Sequence, residues 1–188
     1  MVLETKRLLL RPWFKDDAQA LYRYAKDSKI GPSAGWPVHT SLENSRQIIE
    51  NVLQTKHNFA IVLNGEQHPV GSIGLMIGPE STLGIGSDEG EIGYWIAVPF
   101  WGRGLVSEAV RELLRYGFED LNLVKIWCGH FAENENSRRV QEKCGLCYHH
   151  TVYNKPFPLI NQHKTEHATC LSRQAWQKKM LSAGNIPD

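Results

Sequence analysis

The chain has 188 residues, 41% of them hydrophobic, which is enough material for one compact domain whose core needs no disulfide support. Lysine and arginine together number 21, and aspartate and glutamate number 20, so the charge is almost balanced. A balanced charge gives no electrostatic reason for a nucleic acid or an anionic membrane to be the main ligand. We therefore expect one domain over residues 1–188, without a nucleic acid or membrane partner.

The cysteines and the N-terminus indicate a reducing, cytoplasmic setting. Four cysteines are too few and too scattered for the disulfide framework of a small secreted domain. The first residues include Glu4, Lys6 and Arg7, where a signal peptide would have an apolar core. Cys144 and Cys147 form a Cys-x-x-Cys pattern, but no second pair completes a zinc site, so we favour core cysteines and expect no metal.

The first third of the chain predicts a strand followed by two helices. Residues 3–13 are rich in leucine and arginine and have strand-like character. Apolar residues then recur at helical spacing over 18–25. Thr40 and Glu43 form a capping-box pattern ahead of a second helix, which is predicted to end near Thr55.

The middle of the chain predicts three strands and the clearest helix. Runs 59–63 and 70–77 are apolar and β-rich, and the Asn64-Gly65 pair between them is typical of a tight hairpin turn. Residues 91–98 are predicted as a third strand after a polar loop. An apolar stripe that begins near Leu105 lies on one face only if this segment is helical.

The last third alternates strands with helices. Its elements are predicted in the order strand, helix, strand, loop, strand and helix, at 123–130, 134–144, 146–153, 156–158, 166–171 and from Arg173 onward. Gly145 is expected to end the first of these helices, and Pro156 and Pro158 are expected to enforce the loop. The order of elements predicts an α+β fold, an α/β/α sandwich with a mixed, mostly antiparallel central sheet flanked by helices.

A glycine loop joins the predicted strand 91–98 to the helix, with the sequence Trp101-Gly102-Arg103-Gly104-Leu105-Val106. Glycine lacks a Cβ, so Gly102 and Gly104 let an anion approach the main chain, and the first helical amides add donors and a positive dipole. The spacing matches neither the dinucleotide fingerprint nor the P-loop. Two glycines in a turn also occur without a ligand, so the loop alone is weak support for a pyrophosphate site.

Two further segments accompany the glycine loop. Residues 132–137 have the sequence Ala-Glu-Asn-Glu-Asn-Ser and are followed by Glu142-Lys143 and Gly145, and residues 5–12 have the sequence Thr-Lys-Arg-Leu-Leu-Leu-Arg-Pro. Together the three segments resemble the GCN5-related N-acetyltransferases, and in particular the RimJ/RimL-like branch, which acetylates N-terminal amines of ribosomal proteins. The likeness extends over roughly residues 3–172.

In this comparison the glycine loop is similar to the family's acyl-CoA loop, Arg/Gln-x-x-Gly-x-Gly/Ala. Gly104 matches the essential glycine, whereas Trp101 and Val106 depart from the general pattern at its two ends. The resemblance implies that acetyl-CoA binds here as a cosubstrate, with its pantetheine arm along the preceding strand. The implied cofactor-binding residues are Trp95, Ile96, Ala97, Val98, Trp101, Gly102, Arg103, Gly104, Leu105, Val106, Asn134 and Ser137.

Glu91 and Ser137 are the candidate catalytic residues. The attacking amine must lose a proton, and burial of Glu91 at the mouth of an apolar cleft would raise its pKa toward that of a useful base. A solvated glutamate at the start of a strand is an equally valid interpretation. Ser137 matches the residue proposed as general acid in RimL-like enzymes, although a serine and Asn134 also suit the start of a helix. Tyr148 is the alternative acid.

The resemblance implies direct transfer of acetyl from acetyl-CoA to a primary amine, most naturally a protein N-terminus. Trp36, with Glu91, is expected to contact this acceptor, although Trp36 also suits a core position beneath a long loop. A small amine, such as a polyamine or aminoglycoside, is an alternative acceptor. A non-catalytic acyl-CoA sensor is a further alternative, and a homodimer is expected from the branch.

Overall fold

The computed structural model describes residues 1–184, and its centre is one sheet of eight strands. The strands are β1 Leu3–Glu4, β2 Leu8–Arg11, β3 Asn58–Leu63, β4 Pro69–Ile77, β5 Glu89–Ile96, β6 Lys125–Phe131, β7 Cys147–Phe157 and β8 Gln162–Ser172. Their order in the sheet is β1-β2-β3-β4-β5-β6-β8-β7. Neighbours are antiparallel except for β5 and β6, which run parallel. The predicted α+β architecture is confirmed.

Five helices accompany the sheet: α1 Ala18–Ala25, α2 Leu42–Ile48, α3 Leu105–Arg115, α4 Glu135–Cys144 and α5 Arg173–Gly184. One face of α3 packs on the larger hydrophobic core, which includes Leu113, Ile73 and Ile92. The opposite face of the sheet carries a smaller core, in which Leu21 of α1 packs with Trp13. Within residues 1–184, no helix has both the length and the apolar character needed to cross a bilayer.

A gap opens between β5 and β6. The two strands pair over three positions only, from Glu89 with Lys125 to Glu91 with Trp127. Beyond that point β5 continues beside β4, and β6 continues beside β8 as far as Phe131. Because each strand follows a different neighbour, the central sheet divides at its middle, and the main chain bordering the gap is left without ladder partners among the described residues.

The N-terminal segment is fastened to the start of α3. The Glu108 carboxylate accepts hydrogen bonds from Thr5 Oγ1 at 2.7 Å, from the Arg7 amide at 2.8 Å and from Arg7 Nε at 2.6 Å. This tether corrects the strand predicted over 3–13. Residues 5–7 turn toward Glu108, so the segment forms two short strands, β1 and β2, rather than one.

The cap of α2 and the β3–β4 hairpin loop differ from their predictions. Ser41 rather than Thr40 caps α2, because its backbone is extended and its Oγ accepts the Asn44 amide at 3.0 Å. The β3–β4 connection is five residues long, so the Asn64-Gly65 pair starts a longer loop and does not form a two-residue hairpin turn.

The last hairpin is longer than predicted. Strand β7 continues through Pro156, and the chain turns only after it, at Pro158–Ile160. Pro156 is tolerated because β7 is the last strand of the sheet, where a missing N–H can face solvent. Strand β8 accordingly begins at Gln162, four residues before the predicted start at Glu166.

The Glu108 tether predicts a pH-dependent loss of stability in Glu108→Gln. Burial raises the pKa of Glu108, but the hydrogen bonds from Thr5 and Arg7 outweigh burial and leave the pKa lowered. Because its pKa is lowered, the ionised Glu108 stabilises the fold fully at pH values above its ordinary pKa of 4.5. This contribution is lost as the pH falls through the lowered pKa. At neutral pH we expect a loss of about 1 kcal/mol, because solvent screens the half-exposed Arg7.

Urea unfolding of both proteins at neutral and acidic pH measures this difference. The matched control is Glu119→Gln, which removes an exposed carboxylate that pairs with Arg115 at 3.3 Å and is expected to change stability by less than about 0.5 kcal/mol. Equal losses in the two variants, or a difference that persists in acid, would contradict the role assigned to the tether.

Candidate active site

The glycine loop follows directly on the end of β5. After Ile96 the chain makes one 3-10 turn, and Trp101 then folds back so that its indole N–H donates to the Ile96 carbonyl at 2.8 Å. Gly102 and Gly104 both take positive φ, at 72° and 71°. Gly104 is the N-cap of α3, as the predicted helix start near Leu105 requires. Trp101 therefore braces the loop against the strand.

The loop has the features of an anion site. A Cβ at Gly102 would meet nothing within 4 Å, and the nearest atom to a Cβ at Gly104 is the Arg7 guanidinium at 3.7 Å. Arg7 also donates to the Arg103 carbonyl at 3.0 Å, so a cation lies beside the loop. The first amides of α3 have no partner inside the helix and point toward the same end. A pyrophosphate would find open main chain and amide donors together, while the charge of Arg7 is largely balanced by Glu108.

Glu91 lies at the point where β5 and β6 separate, and it is buried. Its carboxylate accepts from Ser81 Oγ at 2.7 Å and from the Thr82 amide at 2.9 Å. Burial raises the pKa of Glu91, and these two hydrogen bonds only partly offset it. The negative charge of Glu166 raises the pKa further, while Lys155 lowers it. A carboxylate with a raised pKa is a stronger base than an exposed one.

Glu166 is a second buried carboxylate that the sequence analysis missed. It pairs with Lys155 Nζ at 2.5 Å, and Lys155 in turn donates to the Thr82 carbonyl at 3.1 Å, so Glu91 and Glu166 share one polar cluster. The signal was available in the alternation of β8. A period of two puts Glu166 on the same face as Ala168 and Cys170, so the alternation places this glutamate on the face of β8 that becomes apolar toward its end.

The other face of the gap carries Ser137. It lies in the first turn of α4, and Asn134 caps this helix by accepting the Ser137 amide at 3.1 Å. Tyr94 of β5 approaches Ser137, with 2.8 Å between the two hydroxyl oxygens. Burial raises the pKa of Tyr94 well above its usual range, so its phenol stays protonated. Tyr148, the alternative acid, is exposed and bonds to Thr151 instead.

The segment between α1 and α2 covers the Glu91 face of the gap. The Trp36 ring contacts the Trp95 ring at 6.0 Å between centroids, and Asn134 Nδ2 donates to the Ser33 carbonyl at 3.3 Å. A cavity of about 270 Å³ lies where this segment meets the end of β6. It is lined by Pro32, Ser33, Phe131, Glu133, Asn134 and Lys164. Asn134, expected to contact pantetheine, is thus already engaged as a cap and with Ser33.

The predicted site residues therefore form three groups around the gap. Glu91, Trp95 and Trp36 lie on one side of the sheet, because alternate residues of β5 share a face and Trp36 packs on Trp95. Asn134 and Ser137 lie at the start of α4 on the other side, with Tyr94. Residues 101–104 form the loop after β5 and its 3-10 turn, whereas Leu105 and Val106 are the first residues of α3 and their side chains are buried. Val98, predicted as strand, lies in the 3-10 turn instead.

Comparison with known proteins settles the family. Residues 7–146 match the model of the acetyltransferase (GNAT) domain, which is well over half of the chain. The chain belongs to the GNAT acetyltransferases. Members of this family use acetyl-CoA as cosubstrate and transfer its acetyl group, so the enzyme is an acetyltransferase.

Individual relatives agree with this membership over nearly the full length. The chain is 28% identical over 176 residues to the uncharacterized N-acetyltransferase YnaD of Bacillus subtilis strain 168, covering 94% of this chain and 99% of YnaD. A GNAT-family acetyltransferase from Bacillus anthracis superposes with a TM-score of 0.80 at 27% identity, covering 93% and 99%. RimJ of Mycobacterium smegmatis, solved with CoA-disulfide, shares the fold with a TM-score of 0.76 at 20% identity, covering 97% and 94%. The predicted membership of the GCN5-related N-acetyltransferases is confirmed.

The open main chain at Gly104 predicts a loss of CoA affinity in Gly104→Ala. Alanine at a positive φ costs about 1 kcal/mol of stability, and its methyl group would stand where the pyrophosphate approaches. We expect the Kd for CoA, measured by calorimetry, to rise about tenfold or more. The matched control is Gly65→Ala, which has a φ of 86°, no atom within 4 Å of its Cβ and a position in the β3–β4 loop. It should lose similar stability and keep the wild-type Kd.

Proposed function

We propose that this acetyltransferase transfers acetyl from acetyl-CoA to the N-terminal amine of a protein substrate, in the gap between β5 and β6. The observation that carries the proposal is the division of groups across this gap. A buried carboxylate with a raised pKa, Glu91, faces one side, and the hydroxyl pair of Tyr94 and Ser137 faces the other. The glycine loop follows β5, the strand whose two faces carry these groups.

The reaction follows from these positions. The amine nitrogen attacks the thioester carbonyl carbon, and Glu91 takes the proton that the amine loses, directly or through one water. The Ala97 amide donates to the Val70 carbonyl of β4, so the Ile96 amide before it is directed at the gap. In the proposed step the Ile96 amide stabilises the oxyanion. The carbon–nitrogen bond forms and the carbon–sulfur bond breaks. The sulfur leaves as a thiolate stabilised by a hydrogen bond from the Ser137 hydroxyl, and it takes up a solvent proton after release.

Two features of the face that carries Glu91 support the N-terminal amine of a peptide as the acceptor. Trp36 and Trp95 form an aromatic wall on the same face of β5 as Glu91, and a wall of this kind binds apolar parts of a peptide. The likeness in fold to solved ribosomal-protein acetyltransferases supports a protein as acceptor. The carboxylates Glu91 and Glu166 attract a protonated amine, which releases one proton to water before the neutral amine attacks and Glu91 takes the second.

The same two carboxylates favour a second candidate function, acetylation of a small polycation.

Measuring the release of CoA from acetyl-CoA with different acceptors distinguishes the two candidate functions. The acceptors are short peptides beginning with free Ser, Ala or Met, the same peptides with blocked N-termini, spermidine and kanamycin. Turnover with free peptides alone supports the proposal, and turnover with spermidine or kanamycin alone replaces it with the second candidate. Binding of CoA without any turnover supports a sensor, and no CoA binding overturns the proposed function.

Glu91→Gln is expected to lower kcat/KM by about a hundredfold, because the amine loses its base. In the wild-type enzyme, kcat/KM should fall as the pH drops through the raised pKa of Glu91, because the carboxylate becomes protonated and cannot accept a proton. This limb should be absent from the profile of Glu91→Gln. Glu166→Gln is the matched control, since Glu166 is buried in the same cluster but paired with Lys155. A larger loss in Glu166→Gln would make Glu166 the base.

Ser137→Ala is expected to lower kcat about tenfold or more at saturating acetyl-CoA, because a hydrogen bond to a charged leaving group is lost. The KM for acetyl-CoA should change little, since the sulfur gains its charge only as the bond breaks. Tyr148→Phe is the comparison for the exposed tyrosine and should be unchanged. An unaltered kcat in Ser137→Ala would remove Ser137 from the mechanism.

A further inference from the structure

Gln141 is a fully buried amide on the inner face of α4, and all its hydrogen-bonding groups are engaged. Its Nε2 donates to the Gly129 carbonyl at 3.1 Å and to Ser137 Oγ at 3.2 Å. Its Oε1 lies 2.8 Å from His130 Nδ1 and 2.9 Å from Thr169 Oγ1. A buried amide with four partners has a fixed position and cannot rotate without losing several bonds.

The Gly129 carbonyl decides which way this amide faces. A backbone carbonyl only accepts hydrogen bonds, so the group of Gln141 beside it must be the N–H₂. The second N–H of that group is then directed at Ser137 Oγ. Oε1 faces His130, whose Nδ1 must carry the proton that it accepts, and burial lowers the pKa of His130, which keeps the imidazole neutral. The donor that reaches Ser137 is therefore set by the surrounding core.

Tyr94 is the second partner of Ser137. The two hydroxyl oxygens lie 2.8 Å apart and either can donate to the other, while Tyr94 Oη also lies 3.2 Å from the Ser137 carbonyl. A serine oxygen accepts two hydrogen bonds and donates one. In the arrangement in which Gln141 and Tyr94 both donate to Ser137, the proton of Ser137 has no acceptor among the described residues and is free for a ligand.

That free proton matters because the network spans the gap. Tyr94 lies on the part of β5 that has separated from β6, and Gly129 lies on the separated part of β6. Gln141 and Ser137 connect the two strands from the side of α4. A thioester held between the strands would therefore have the free Ser137 proton beside it.

We propose that Gln141 is a positioning residue that, together with Tyr94, directs the Ser137 hydroxyl proton at the sulfur of CoA. The inference rests on the proposed role of Ser137 at the leaving sulfur. Gln141 does not touch the reacting atoms. It fills an acceptor position of Ser137, so that the hydroxyl proton is offered to the sulfur rather than to the protein. The glutamine has a structural task as well, since it joins α4 to β6 and β8.

The thiol of bound CoA reports this hydrogen bond without any acceptor amine. A donor aimed at the sulfur stabilises the thiolate and lowers the thiol pKa. The thiolate is followed by its ultraviolet absorption as the pH is raised, and the complex with desulfo-CoA is subtracted to remove the protein signal. We expect Ser137→Ala and Gln141→Met to raise the pKa of the bound thiol by about one unit each, a tenfold change in the ionisation constant.

Thr169→Val is the matched control. It removes a bond to Oε1 of the same buried amide but leaves the N–H that reaches Ser137. Gln141→Met and Thr169→Val should both lower stability in urea unfolding, and only Gln141→Met should shift the thiol pKa. If the thiol pKa shifts in both variants in proportion to their loss of stability, Gln141 has only a structural role and the inference is overturned. If Gln141→Met does not fold, Tyr94→Phe removes the other donor and should shift the pKa in the same direction.

A double variant separates this inference from the proposed function. Ser137→Ala combined with Gln141→Met should show no shift beyond that of Ser137→Ala alone, because Gln141 acts through Ser137. A further shift in the double variant overturns the positioning role. A wild-type thiol pKa in Ser137→Ala overturns both the role of Ser137 and the inference. A wild-type thiol pKa in Gln141→Met alone overturns only the inference and leaves acetyl transfer intact.

Discussion

The site depends on one constraint, the pairing of β5 with β6 over only three positions. Each strand remains hydrogen-bonded to an antiparallel neighbour on its other side, so the sheet stays intact on both sides while its middle opens. Opening a sheet exposes main-chain N–H and C=O groups that are costly to leave unpaired. An extended arm with its own amides, such as that of acetyl-CoA, can pair with them, so the opening itself favours such a ligand.

The alternation of β5 then divides the chemistry between two faces. Glu91 and Trp95 point to the face covered by the segment that contains Trp36, whereas Tyr94 points to the face covered by α4. A one-residue shift of register would exchange these groups. The two polar networks have different characters. That around Glu91 holds two carboxylates and one lysine, and that around Ser137 holds neutral donors and acceptors. In the proposed mechanism, proton acceptance and support of the leaving sulfur are thereby kept apart.

Several features were predictable from sequence because they depend on local backbone chemistry. The helix start near Leu105, the cap at Asn134 and the stop at Gly145 each follow from the conformations that these residues favour. Other features were not predictable because distant partners decide them. Pro156 is strand because β7 is an edge, and residues 5–7 turn because Glu108 accepts their hydrogen bonds. Neither the edge position of β7 nor the contact with Glu108 follows from the spacing of residues along the chain.

The sequence by itself determined the family, the order of most elements and the glycine loop, since short motifs and periodic apolar residues express local rules. Only the tertiary structure decided which side chains meet. Glu166, Lys155 and Thr82 reach the surroundings of Glu91 from two strands and a loop, and the network of Ser137 draws on β5, β6, β8 and α4. Hydrogen bonds and burial act through space, so the buried amide of Gln141 and the phenol of Tyr94 acquire their roles only when the sheet is assembled.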